Sequence, residues 1–116
     1  MALTLVFVNR TSGCPLSTLA HRVLDDYGVS YTERYYDTDP NVKARLLEWT
    51  GFLSVPTLYV ADADLDRPAT PPTLLEAGSS PRGIDRGSML TEPSADQLLA
   101  WLQKHGLVAL GSSAAG

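Results

Sequence analysis

The sequence predicts an α/β domain, a sheet layered with helices, on three observations. Short runs of β-branched and aromatic residues alternate with segments of helical period in the order β-α-β-α-β-loop-β-α. Hydrophobic residues make up 44% and charged residues 19% of the chain, within the globular range. The length, 116 residues, gives one domain room for a sizeable core and leaves none for a second.

Leu3 to Val8 is almost continuously apolar, as in a central strand buried on both faces, and it ends at Asn9. Pro15 suits a first helical position, and Leu16, Leu19, Ala20, Val23 and Leu24 follow with helical spacing until Gly28. Val29 to Tyr36 reads as a second strand. Asp39 is an expected N-cap with Pro40 behind it, and Val42, Leu46, Leu47 and Trp49 form the apolar face of a helix that ends at Thr50-Gly51. Thr57 to Ala61 is the third strand. Residues 62–86 hold four prolines and little periodicity, which marks a long loop. Loops of that length are functional lids or disordered segments, and the residues favour neither. Gly87 to Leu90 is expected to return beside the third strand. Ser94 with Gln97 makes a capping box, and Leu98, Leu99, Trp101 and Leu102 form the buried face of the last helix, closed by Gly106. The domain is thus expected to span 1–106, with an insertion at about 62–86 and a flexible tail at 107–116 ending in GSSAAG.

The formal charge is −4, the pI is near 4.9, and there are only two lysines. That leaves no basic stripe for a phosphate backbone, so nucleic acid is excluded as a partner. The apolar N-terminus covers about eight positions without a basic leader, too short for a membrane span, which points to a cytoplasmic protein without membrane attachment. Cys14 is the only cysteine, so no intramolecular disulfide and no multi-thiol zinc site can form, and no metal site is expected. The alternating acids Asp62, Asp64 and Asp66 lack the glycine and closing glutamate of a calcium loop and read as a solvated edge.

Cys14 falls where the first strand meets the first helix. At such an N-cap, sulfur faces the free amide hydrogens of Leu16 and Ser17 and the positive end of the helix dipole. Cysteines in such settings ionise at pH values as low as about 3.5–7.5 rather than about 8.5, which makes them nucleophiles. Arg10 adds a nearby cation. His21, seven residues on, lies about 10 Å along the helix, too far to act as a base, and reads as a boundary residue. His105 is placed to complement the dipole of the last helix.

Gly13-Cys14-Pro15-Leu16-Ser17 after a buried strand, Thr50-Gly51, and Ser54-Val55-Pro56-Thr57 opening the third strand together resemble the glutaredoxin family. The resemblance covers about residues 3–61 and resumes weakly at 87–106. It implies a thioredoxin-like, glutaredoxin-type fold, a four-stranded mixed sheet with three helices on its two faces. It also implies thiol-disulfide oxidoreductase activity with Cys14 as the nucleophile on glutathione mixed disulfides. Ser17 stands where dithiol members keep a resolving cysteine, so the chain resembles a monothiol variant regenerated by glutathione or another low-molecular-weight thiol. Ser17 either hydrogen-bonds the Cys14 sulfur or caps the helix.

Pro56 matches the family's cis-proline, and Val55 the residue whose main chain pairs with the cysteinyl part of glutathione. Glutathione is then a cosubstrate, no cofactor is permanently bound, the partners are glutathionylated proteins, and the protein acts as a monomer. Members carry lysine where Thr11 stands, leaving Arg10 as the candidate carboxylate clamp. Pro93-Ser94-Ala95-Asp96 replaces the family's Gly-Gly and acidic residue. Ser94 and Asp96 either hold the glutamyl end of glutathione or serve only the helix terminus. Arg45 either meets the glycyl carboxylate or stands in solvent. Two other classes fit the same pattern, an iron-sulfur carrier sharing one cysteine from each of two chains and a redox-inactive binding module. Pro15-Leu16 in place of the Gly-Phe of cluster-binding members ranks the carrier lower.

Overall fold

A computed structural model describes residues 3–108. Four strands and three helices follow in the order β1 (Thr4–Asn9), α1 (Pro15–Asp26), β2 (Tyr31–Tyr35), α2 (Pro40–Thr50), β3 (Thr57–Ala61), β4 (Met89–Thr91) and α3 (Ala95–Lys104). The sheet order is β2-β1-β3-β4, with β1 and β2 parallel and the other pairs antiparallel. This is the thioredoxin-like, glutaredoxin-type mixed sheet.

Strand periodicity builds two cores. Leu5, Phe7, Leu58, Val60 and Leu90 face one way, against Ala20, Val23 and Leu24 of α1 and Leu98, Trp101 and Leu102 of α3. Val6, Val8, Tyr59, Ala61 and Met89 face the other way, against Val42 and Leu46 of α2. Alternate residues of β1 therefore go to opposite cores, which is why Leu5 to Val8 are all apolar.

The helix ends follow local chemistry. Cys14, Asp39 and Ser94 are the N-caps; Pro15 and Pro40 open their helices; and Ser94 with Gln97 forms the capping box in both directions. Gly28 ends α1 with φ +65, which lets the Val29 N–H reach Leu24 O at 2.9 Å.

Several boundaries differ from the sequence expectation. β2 starts two residues later than Val29, which is buried in the helix exit instead. β4 is Met89–Thr91 rather than 87–90, because the chain turns at Gly87 (φ +80) while Arg86 N–H bonds Met89 O. Leu47 is 42% exposed rather than on the buried face of α2, where Leu46 takes the core position. Val108 is buried in the α1–α3 core, and Leu107 N–H bonds Leu102 O, so the packed chain continues past 106. Residues 109–116, with the GSSAAG segment, lie outside the described residues.

The insertion folds onto the sheet. Ala69 N–H bonds Val60 O, Ser88 Oγ donates to Thr70 O, and residues 82 and 85 bridge to the outer side of β4. His105 does more than face a helix dipole: its Nε2 donates to Gly87 O at 2.7 Å, beside Trp101 Nε1 at 2.8 Å. Among the described residues no helix is long and apolar enough to cross a membrane.

Candidate functional site

Three connections meet at one end of the sheet: the loop after β1, the turn before β3 and the exit of β4. Antiparallel pairing of Val8 with Thr57, and of Thr57 with Thr91, brings them together. In the first loop Gly13 takes φ +68, its N–H bonds Arg10 O, and its own carbonyl receives Arg10 Nε at 2.8 Å. That turn delivers Cys14 to the N-cap of α1 in an extended conformation. Its sulfur accepts the Ser17 N–H at 3.4 Å; the Leu16 N–H, expected to join it, makes no such bond.

Cys14 is half-buried and packs beside the α2 core with Tyr36. Two further groups meet the sulfur, Ser17 Oγ at 3.1 Å and Val55 O at 3.6 Å. The Val55–Pro56 peptide bond is cis. The turn is held rigidly: Thr57 Oγ1 lies 2.9 Å from Ser54 O and 3.0 Å from Thr91 Oγ1, and Glu92 N–H bonds Pro56 O at 2.8 Å. Thr57 and Thr91 are fully buried, so this brace is shielded from water. Glu92 adopts φ +46, a left-handed conformation costly for a side-chain-bearing residue, where the chain leaves β4 for Ser94.

The other candidate residues divide into two groups. Arg10 stays with the cysteine loop, its Nε on Gly13 O. Thr11 binds Asp37 through both Oγ1 and its N–H, and the hydroxyl bond holds the Asp37 carboxyl below its ordinary range. Ser94 and Asp96 stand exposed at the N-terminus of α3, just past the β4 exit, with Ser94 engaged by Gln97. Arg45 is directed elsewhere, paired at 3.5 Å with Asp66, which also faces Arg34. Among the described residues no cluster of three or more His, Cys, Asp or Glu side chains could hold a metal.

Sequence reasoning missed the polar side chains behind the cysteine. Asn9, at 3% exposure, binds Ser17 and Glu33, and Glu33 binds His21. A polar residue directly after the apolar run Leu5 to Val8 was the available signal. His21 is half-buried, a boundary residue as expected, and stacks on Phe7 with ring centroids 4.6 Å apart.

The half-buried sulfur receives a helix-end amide hydrogen, which favours the thiolate, and Val55 O accepts only from the thiol; the amide suits the site to thiol-disulfide exchange. No curated protein and no solved structure gives a significant match to the chain. The glutaredoxin family model, a family of thiol-disulfide oxidoreductases, matches residues 5–64, which run from β1 through the cysteine loop and the Val55–Pro56 turn to just past β3. With more than half of its length in that match, and with the match enclosing the cysteine and the turn facing it, the chain belongs to the glutaredoxin family.

Proposed function

We propose that the protein is a monothiol glutaredoxin that reduces glutathione mixed disulfides through Cys14. The observation that carries this reading is the position of the Cys14 sulfur, 3.4 Å from the Ser17 N–H at the head of α1 and 3.6 Å from Val55 O. The thiolate attacks the glutathione sulfur of a protein–glutathione disulfide. A new bond forms between Cys14 and glutathione, the old disulfide breaks, and the target protein leaves as a thiolate that takes a proton from water. Val55 presents its main chain to the cysteinyl part of glutathione in the manner of an added strand. Arg10, Ser94 and Asp96 surround the same end of the sheet and receive the charged ends of the tripeptide.

Ser17 stands where a second thiol would resolve the intermediate internally, and its hydroxyl cannot do so. A second glutathione, as thiolate, therefore attacks the bound glutathione sulfur, forms glutathione disulfide and returns the Cys14 thiolate. Glutathione is a cosubstrate in this cycle, and the protein works as a cytoplasmic monomer. The test is turnover of a glutathionylated peptide in the presence of glutathione. Cys14→Ser is expected to remove the activity entirely; equal rates with and without the cysteine would reject the reading.

A further inference from the structure

Ser17 Oγ touches both the Cys14 sulfur, at 3.1 Å, and Asn9 Oδ1, at 2.8 Å. The Asn9 amide is oriented from two sides. The Arg10 N–H, which can only donate, lies 2.8 Å from Oδ1, and the Glu33 carboxylate, which accepts, lies 3.1 Å from Nδ2. Glu33 is itself fixed by His21 Nε2 at 3.0 Å. An amide oxygen cannot donate, so the single hydroxyl hydrogen of Ser17 goes to Asn9. The Ser17 lone pairs then face the sulfur at 3.1 Å, so between Cys14 and Ser17 only the thiol hydrogen is left to donate, with Val55 O at 3.6 Å as its other acceptor. A thiolate reverses that requirement, because it can only accept. To meet it, the Ser17 hydroxyl must turn away from Asn9.

We propose that Asn9 is a positioning residue for the Cys14 thiol: it holds Ser17's only hydroxyl hydrogen, which the thiolate must draw away from Asn9 as it forms. The inference rests on the reading of Cys14 as the nucleophile. A hydrogen bond to a charged group is about twice as strong as a neutral one, so the thiolate wins the hydrogen but forfeits part of the gain to Asn9. The charged groups on neighbouring elements are engaged elsewhere. Arg10 is on Gly13 O, Asp37 of the β2–α2 turn is on Thr11, and Glu33 of β2 and His21 of α1 bind each other behind Asn9. Tyr36 packs against the same cluster as the sulfur without a hydrogen bond to it.

The experiment is the rate of iodoacetamide alkylation against pH, which reports Cys14 alone because the chain has no other cysteine. Asn9→Leu keeps the branched shape of the amide side chain and removes the acceptor. It is expected to lower the alkylation midpoint by about 0.5–1 pH unit, a roughly three- to tenfold gain in rate below the midpoint. In a Ser17→Ala background the same substitution is expected to shift nothing, since the contested hydrogen is gone. An equal shift in both backgrounds, or none in either, would overturn the proposal. Asn9→Ala serves as the second variant if the leucine does not fold. Ser17→Ala alone is expected to raise the midpoint, and a fall would also overturn it. Alkylation needs no glutathione, so this result and the peptide turnover stand or fall separately.

Discussion

Tyr59 shows how a single residue ties the core to the insertion. It is 1% exposed, its ring meets Trp49 edge-on at 5.0 Å, and its hydroxyl donates to Leu65 O at 2.6 Å. Burial pushes the phenol up to about 12 from its ordinary 10, against a smaller opposing pull from Arg45 and Arg34. The folded chain therefore keeps this proton at pH values where the unfolded chain has lost it. The contribution to stability is complete below pH 10 and disappears as pH rises through about 12. Urea unfolding across that window is expected to show a loss on the order of 2 kcal/mol, and Tyr59→Phe should remove that part of the slope. An unchanged slope in the variant would mean that other groups carry it. Asn9 and Ser17 act at the same scale within the site, where one hydrogen has two claimants.

Among the elements, α2 depends most on a residue outside itself. Its last turn contains no basic side chain, and its end is met by Arg86 of the insertion, whose Nη1 donates to Trp49 O at 2.7 Å and Nε to Thr73 O at 2.8 Å. Arg86 is 4% exposed and its guanidinium has no carboxylate partner among the described residues; burial lowers its pKa from the usual arginine value, and the carbonyls offset that cost. Arg86→Met is expected to destabilise the fold by roughly 2–3 kcal/mol, read from the urea midpoint, because buried carbonyls lose a charged donor.

This contact also marks the limit of what the sequence discloses. Pro15, Asp39-Pro40 and Ser94 with Gln97 act within four residues of themselves, so the helix starts are legible, as are Cys14 and the Val55–Pro56 turn through their family spacing. Arg86 meets Trp49 across 37 positions, and Asn9 meets Glu33 only because the parallel register sets β1 beside β2. Neither pairing leaves a local pattern. The insertion is legible as proline-rich, while its packing is decided by partners elsewhere in the chain.

At the scale of the whole molecule, stability rests on two thin cores that share one sheet. Trp101, 2% exposed, fills the core between α1 and α3 and also donates to Gly87 O at 2.8 Å, so it joins helix, core and the turn that leads into β4. Trp101→Ala is expected to cost about 3–5 kcal/mol, a large share of the 5–15 kcal/mol that typically holds a domain together. The check is a sharp drop in melting temperature, with alkylation of Cys14 accelerating at the temperature where the core opens. The bridges from residues 82 and 85 to β4 have a further effect on how copies of this protein meet. A sheet with a bare border can recruit a neighbour's chain and grow, and here one border is already occupied. The border left open is β2, where Thr32, Glu33 and Arg34 place hydroxyl and opposite charges along a strand of five residues. That border is short and charged, poor at recruiting a neighbour's chain, so crowded solutions of the folded protein should resist fibrous association through its sheet.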